Sequence, residues 1–545
     1  MKKFLNSIAA IAVVFLCPIN LSGQSRNFET GRMMEIQAMI LRTLESQYVD
    51  SIQISKLLKV GIDKMLETLD PYTVFVPEED EEALEMMSTG SYGGVGAMIQ
   101  KTPSGPIMIT EVYAGSAAIK SGLEPGDLIL AVDGISTDSL TVSQTSSMMR
   151  GRASTNVRLK VQKGRTGVTQ ELAVTRDVIH VSDVVYAGMI DDVTGIITIG
   201  GFTYGGAKEV REAVISLKER GMKRLILDLR GNGGGLMAEA VDILSIFLPK
   251  GTLVITSRGK NPEMFHEYYT EKQPVDTDIP LMVLIDSGSA SSSEIVAGAL
   301  QDLDRAVIAG SRSYGKGLVQ SISAVGYGSS LKYTSAKYYI PSGRCVQAID
   351  YSNRNENGSV GTVPDSLKRE FRTFSGRVVY DGGGITPDLE FEPRFMSRAF
   401  IALLFSGAPD NFAIEYYKKH PSIAPADEFV LSDSEYDDFV SFASQVDFDV
   451  RTQTEIELET LIEKAGKEQI FQHKPALEEQ MKGMLDSLSV SKSDFLYQNK
   501  DVIKSLLQDE IAEKYYLKWG STQSSIRWDE LIFPAIEKWS SVKLK

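Results

Sequence analysis

Between Phe28 and about Met87, apolar residues such as Ile40, Leu41, Leu44, Leu57, Leu58, Ile62, Met65 and Leu66 recur at spacings of three and four, which predicts helices with one apolar stripe. Asp70-Pro71 breaks the pattern, because the residue before a proline is driven out of helical geometry. From Gly90 to Asp177 the chain changes to short β-branched runs, Ile107 to Val112, Leu128 to Val132, Val157 to Gln162 and Glu171 to Val174, separated by turn residues. That spacing predicts a small β-rich module. From Ile179 to about Pro393, strand-like runs at Thr194 to Ile199, Arg224 to Leu229, Leu281 to Asp286 and Ala306 to Ala309 alternate with helical stretches at Ala207 to Arg220, Ala238 to Phe247 and Ser292 to Leu303. Such alternation implies crossover connections and a largely parallel sheet. The remainder is charged and helix-patterned, as in Pro475 to Leu488 and Asp501 to Tyr516. The expected organisation is multidomain α/β: a leader at 1–23, a helical N-terminal domain at 27–89, the β-rich module at 90–178, an α/β core at 179–394 and a helical C-terminal region at 395–545.

The leader is read from Lys2 and Lys3, the apolar run Ile8 to Leu16 and the small polar residues near Ser22 and Gly23, the pattern of a secretory signal peptide. No later stretch reaches the roughly 18 apolar residues that a membrane helix needs, so a soluble exported protein is expected. Cys17 is a candidate lipidation site, although Val14, Phe15 and Leu16 before it lack the small residues such a site prefers; membrane anchoring is expected only if it is lipidated. Cys345 is the only other cysteine, so no intramolecular disulfide is expected in the exported chain. The 545 residues suit several domains, and a net charge of −15 weighs against a nucleic-acid partner.

Candidate chemistry lies in three loops. The apolar strand Leu281 to Asp286 runs into Ser287-Gly288-Ser289-Ala290-Ser291-Ser292-Ser293-Glu294 before a helix. The plain reading is capping, with Ser291 and Glu294 forming a capping box. The sharper reading is a serine nucleophile beside unpaired helix N–H groups that could hold an oxyanion. A nucleophilic serine needs a base, yet the four histidines, His180, His266, His420 and His473, lie in segments without a nearby acid motif. No HExxH or Cys/His cluster suggests zinc, and no cofactor is expected. Lys316 stands between two glycines in Tyr314-Gly315-Lys316-Gly317, where burial would favour its neutral form and make it a base. The plain alternative is a solvated loop lysine. The third loop, Asp228-Leu229-Arg230-Gly231-Asn232-Gly233-Gly234-Gly235, lacks the Lys-Ser/Thr of a phosphate-binding loop, and Leu236 breaks the dinucleotide pattern. Such a loop can instead aim free N–H groups at a carbonyl oxygen.

The order of glycine loop Gly93 to Gly96, Ala114-Gly115-Ser116-Ala117-Ala118, Gly122-Leu123, Pro125-Gly126-Asp127 and Val132-Asp133-Gly134 resembles a PDZ domain, which implies capture of a peptide's C-terminus as an added strand. Gly93, Gly94, Val95 and Gly96 would then hold the terminal carboxylate, with Val95, Ala97 and Ile99 helping to form the pocket for the last side chain. With Tyr48-Val49-Asp50, Leu69 to Thr73, DLRGNGGG from Asp228, SASSSEIVAGALQD from Ser289, YGKGLVQ from Tyr314 and Gly384 to Asp388, the chain is similar to the carboxyl-terminal processing, or tail-specific, proteases over about residues 30 to 395. The resemblance implies a crotonase-like ββα protease core and a serine endopeptidase with Ser291 as nucleophile, Lys316 as general base and Gln320 orienting the lysine. Asp302 matches a possible accessory acid. Gly234 or Gly235, with Ala290 or Ser292, are the oxyanion candidates. Expected partners are protein or peptide substrates with free C-termini; homo-oligomerisation is left open, and the expected location is the periplasm or cell envelope of a bacterium. Two departures are the long segment Tyr351 to Arg377, readable as a lid or substrate rim, and the helical tail. Competing readings are a non-catalytic PDZ scaffold and a crotonase-like acyl-transfer enzyme. The presence of Ser291, Lys316 and Gln320 opposes the first, and export with a PDZ module opposes the second.

Overall fold

A computed structural model describes residues 22–102, 105–355, 358–392 and 396–544. Positions 1–21, which hold nearly all of the expected leader and Cys17, lie outside the described residues. The chain divides into two compact units. In the first, helices Ser22–Gln47 and Ile54–Glu67 leave Phe28, Met34, Met39, Ile40 and Met65 more than half exposed. Asp70 closes the following turn: its carboxylate accepts the Tyr72 and Thr73 N–H groups at 2.9 and 2.8 Å.

The second unit contains the PDZ-like module, a mostly parallel sheet and the C-terminal helices. In the module, strands Ala97–Lys101, Ile107–Val112, Leu128–Val132, Asn156–Gln162 and Thr169–Thr175 lie in that order across an antiparallel sheet, so Ala97–Lys101 is an edge. Helix Val142–Met149 flanks that edge strand, capped reciprocally by Thr141 and Gln144. Val132 pairs with Ile135 across the Asp133-Gly134 turn, where both central residues have positive φ.

In the mostly parallel sheet the order is β1 (Val184–Met189), β2 (Thr194–Ile199), β3 (Arg224–Asp228), β4 (Leu281–Ile285), β5 (Val307–Gly310) and β6 (Leu389–Glu390); β1 is antiparallel and the others parallel. Helices α1 (Gly206–Glu219), α2 (Met237–Phe247) and α3 (Ser292–Asp302) make the crossovers. Alternation sends Ile197, Leu225, Leu227, Val283, Ile285 and Ile308 into a core with these helices. Ile196, Ile226, Met282, Leu284, Val307 and Ala309 face the other side, where Ile526, Ile532 and Ala535 from the C-terminal region cover them. A parallel sheet must bury both faces, and each fully buried isoleucine there contributes about 1.5–3 kcal/mol. The tail read from sequence only as helical thus completes the core of this sheet. It also forms its own core around Phe412, Tyr436, Phe439 and Leu507, and Leu517, at a kink with φ 61° and ψ −166° inside helix Lys500–Ile526, packs on the PDZ core.

Candidate active site

Because β3, β4 and β5 are parallel neighbours, their C-terminal ends deliver three loops to one edge of the sheet: the glycine loop 229–236, the serine loop 286–291 and the lysine loop 311–317. This is where open α/β sheets carry their sites. Polar side chains fasten the first two loops together. Ser289, Ser292 and Ser293 donate their hydroxyls to the carbonyls of Leu229, Gly235 and Asn232 at 2.8, 2.9 and 2.8 Å. Asp286 Oδ1 accepts the Gly231 and Gly288 N–H groups. Among the described residues the Ser291 hydroxyl donates to no acceptor, so of these four serines it alone keeps its proton uncommitted. Ser291 is half-buried and sits at φ 56°, ψ −113°, a conformation costing an L-residue about 1–3 kcal/mol.

What holds Ser291 there also holds Lys316. The buried Glu294, one turn into α3, accepts the Ser291 N–H (2.9 Å) and Lys316 N–H (2.8 Å) on Oε2, and the Ser313 hydroxyl (2.6 Å) and Gly315 N–H (2.7 Å) on Oε1. Tyr338, 1% exposed, donates its hydroxyl to the Lys316 carbonyl at 2.8 Å and reaches the Ser291 carbonyl at 3.2 Å. One carboxylate and one phenol therefore fix the amide and the carbonyl of both residues. Burial pushes the Glu294 carboxyl up from its ordinary range, against the Ser313 hydroxyl and the three N–H donors, and burial raises the Tyr338 phenol well above 10. Neither residue was singled out as functional from sequence. Glu294 was visible as the third position of a capping box, but nothing in the local pattern tied Tyr338 to a loop more than twenty residues earlier.

The oxyanion candidates separate by what their amides already do. Gly234 N–H donates to Asn232 Oδ1 at 2.8 Å and Ala290 N–H to the Asn232 carbonyl at 3.0 Å, so neither is available to a ligand in this arrangement. The Gly235 and Ser292 N–H groups carry no hydrogen bond among the described residues. Gly234 has another importance: at φ 98°, a Cβ there would stand 2.8 Å from Ser291 Cβ. Only glycine lets the loop approach the serine so closely.

Gln320 lies at the start of the long hairpin Leu318–Gly326/Ser329–Tyr339, with its amide 3.4 Å from Thr334 Oγ1. Asp302 lies at the far end of α3, about 16 Å from Ser291 at 1.5 Å per residue, and pairs at 2.8 Å with the buried Arg344. It is not an acid beside the serine but half of a buried structural ion pair. The segment expected as a lid or rim is partly anchored to that same far end: Phe374 N–H donates to the Asp302 carbonyl, and Arg377 pairs with Asp304 and Asp388. His180 is occupied by Glu209 at 2.6 Å and His420 by the Tyr416 carbonyl at 2.9 Å. Among the described residues no group of three or more His, Cys, Asp or Glu could hold a metal ion, and no helix is long and apolar enough to cross a membrane.

In the PDZ module a groove of about 230 Å³ runs between the edge strand and helix Val142–Met149, lined by Val95, Gly96, Ala97 and Ile99 together with Tyr92, Met149 and Arg150. Gly93 and Gly94 fall outside that lining. They are strand residues opposite Val178 and Asp177, because Ser91–Gly94 pairs with Asp177–His180.

Residues 193–353 match peptidase family S41, residues 108–163 match the PDZ domain, and residues 400–538 match the C-terminal helical domain of PDZ-proteases. The middle of the chain is thus similar to peptidase family S41, preceded by a stretch similar to a PDZ domain and followed by one similar to a helical domain of PDZ-proteases. Among bacterial relatives, it is 39% identical to the carboxyl-terminal-processing protease of Synechocystis sp. over 52% of this chain and 66% of that one. It is 35% identical to a CtpA-like serine protease of Staphylococcus aureus over 56% and 61%. The chain thus spans slightly less than two thirds of the length of these relatives. A solved photosystem II D1 C-terminal processing protease is 25% identical, with a TM-score of 0.34 over 65% of this chain and 86% of that one.

Proposed function

We propose that the protein is an exported bacterial serine endopeptidase that selects substrates by their C-termini and hydrolyses peptide bonds with a Ser291/Lys316 dyad. The observation that carries this reading is the Ser291 hydroxyl, whose proton is donated to no acceptor among the described residues, set in a strained turn whose backbone is fastened to that of Lys316 by Glu294 and Tyr338. Neutral Lys316 takes the Ser291 proton as the oxygen attacks the scissile carbonyl, and Gln320 orients the amine. The Gly235 and Ser292 N–H groups receive the oxyanion. Lysine then returns the proton to the leaving amine, and water hydrolyses the acyl-enzyme by the same route. The relatives' names, which specify carboxyl-terminal processing, support this class of substrate.

The PDZ groove binds the substrate's free C-terminus as a strand added to Ala97–Lys101, with the terminal carboxylate at the Val95-Gly96 turn and an apolar last side chain among Val95, Ala97 and Ile99. The chain works in the periplasm or cell envelope after loss of the 1–23 leader, anchored only if Cys17 is lipidated. The exposed apolar side chains of the first two helices, Phe28, Met34, Ile40 and Met65, favour pairing with a second copy. The test is incubation with an unfolded protein. Cleavage by the wild type and none by Ser291→Ala is expected; equal cleavage would remove the assignment.

A further inference from the structure

The glycine loop is braced from the serine side by three hydroxyls, and its other end depends on a different element. Leu236 N–H donates to the Phe202 carbonyl at 2.7 Å, and Phe202 forms an isolated parallel bridge with Gly235. The approach is close: a Cβ on Gly235 would lie 2.4 Å from the Phe202 oxygen. The direction of the Gly235 N–H, which carries no hydrogen bond among the described residues, is therefore set by where the Phe202 backbone stands.

Phe202 begins the turn into α1, and the next three amides, of Thr203, Tyr204 and Gly205, are held from outside it. Thr203 N–H donates to Asp183 Oδ2 at 2.6 Å and its hydroxyl to Oδ1 at 3.1 Å. Tyr204 N–H donates to the Ser88 carbonyl at 2.9 Å, and Gly205 N–H to Glu239 Oε1 at 3.1 Å. Asp183 is 4% exposed. It occupies the short link between Asp177–His180, which pairs with the Ser91–Gly94 strand leading into the peptide groove, and β1 of the catalytic sheet. Its own backbone is fixed as well, since its N–H donates to Glu209 Oε2 at 3.0 Å and its carbonyl accepts Gly200 N–H at 2.8 Å. A buried carboxylate at a domain junction, with both oxygens spent on one turn, does more than close a loop. It transmits the position of the junction to the Phe202 carbonyl.

We propose that Asp183 is a positioning residue for the oxyanion hole: from the link between the PDZ domain and the catalytic sheet, its carboxylate holds the Phe202-Thr203 turn against Gly235 and so aims the Gly235 N–H. The proposal rests on the reading of Ser291 and Gly235 given above. Loss of an oxyanion donor outright costs about 10²–10³ in turnover, and a donor that is displaced but present costs less. Releasing Thr203 from Asp183 is expected to lower kcat about tenfold with KM unchanged, because the substrate's remote contacts stay in place.

The full chain is assayed on an unfolded protein substrate as wild type, Asp183→Asn and Thr203→Val. Thr203→Val keeps the Thr203 N–H bond and loses only the hydroxyl, so it is the milder variant should Asp183→Asn fail to fold. Affinity for a peptide boronate, which forms a tetrahedral adduct on the nucleophilic serine, is measured beside affinity for a C-terminal peptide in the PDZ groove. A fall in kcat matched by a parallel fall in boronate affinity, with KM and C-terminal peptide affinity unchanged, supports the proposal. Wild-type kcat in a folded Asp183→Asn chain, or a change confined to KM, overturns it. Ser291→Ala separates the two levels: activity that survives in Ser291→Ala removes the underlying dyad, whereas its loss there alongside unchanged Asp183→Asn activity removes the positioning role alone.

Discussion

The loops that carry Ser291 and Lys316 and the groove of the PDZ module are built in opposite ways. Around Ser291 and Lys316 almost every polar group is consumed: three serine hydroxyls on the glycine loop, four donors on Glu294, two carbonyls on Tyr338. Among the described residues, the Ser291 hydroxyl proton and the Gly235 and Ser292 N–H groups are left without a hydrogen-bond partner. The groove keeps an edge strand paired on one side only and surrounds it with Met98, Met149, Tyr92 and Val142. Bond-making needs a few atoms held to fractions of an ångström, which a saturated hydrogen-bond network supplies. Selecting varied C-termini needs open backbone groups and side chains that adapt, and methionine does that well.

The comparison is tested most severely by removing the dyad itself. Ser291→Ala and Lys316→Ala should each lower turnover of an unfolded protein by at least about 10³-fold, since groups acting as a unit fail together. Circular dichroism and affinity for a C-terminal peptide should stay at wild-type values. Equal damage to peptide binding would mean that the two regions are not separable.

Next in size is Glu294→Gln, with turnover expected to fall about 10- to 100-fold while peptide binding holds. Its pH signature separates the two sites. Because burial raises the folded Glu294 pKa above the ordinary 4.5, acidification protonates this carboxyl sooner than an exposed one, and activity should drop on the acid side. Stability should move the other way: a raised folded pKa means that ionisation costs the fold, so the Glu294 contribution worsens as pH rises from about 4.5 through the folded value. In Glu294→Gln the stability dependence and the part of the acid limb owed to this carboxyl should vanish, leaving the limb set by protonation of the Lys316 base, and C-terminal peptide binding should be flat over the same range. An acid limb and a stability profile identical to the wild type's would remove Glu294 from both.

Tyr338→Phe removes one hydroxyl from a side chain that otherwise stays packed. Its expected effect is about a tenfold loss in kcat with KM unchanged, read from initial rates over a range of substrate concentrations. A rise in KM alone would place Tyr338 in substrate binding instead. The smallest change belongs to the groove. Amidating a substrate's terminal carboxylate should weaken capture and lower kcat/KM several-fold, leaving the rate at saturation unaltered. Ile99→Asp, on the groove wall, should remove the preference between the two termini. Equal rates for the free and amidated pair on the wild type would leave the PDZ domain without a selecting role.

Much of this design is legible along the chain. The alternation of apolar runs with helical stretches between Ile179 and Pro393 determines a parallel sheet, and the DLRGNGGG, SASSSE and YGKG segments are local patterns whose glycines and serines show which loops carry chemistry. The PDZ strands likewise follow from β-branched runs and turn residues, because both depend on neighbours within a few positions. Other features required the folded chain. Whether an amide is a free oxyanion donor depends on its partner, and Gly234 and Ala290 are spent on Asn232 while Gly235 and Ser292 are not. Asp302 stands in a helix beginning next to Ser291, yet three helical turns carry it to Arg344 at the opposite end. Tyr338 and Glu294 each reach the backbones of both Ser291 and Lys316, and Ile526, Ile532 and Ala535 close the second face of a sheet formed hundreds of residues earlier. Local periodicity specifies which way a side chain points within its own helix or strand. It carries no information about which distant segment arrives on the other side, since that is chosen by the burial of two apolar faces and the pairing of buried polar groups across the whole fold.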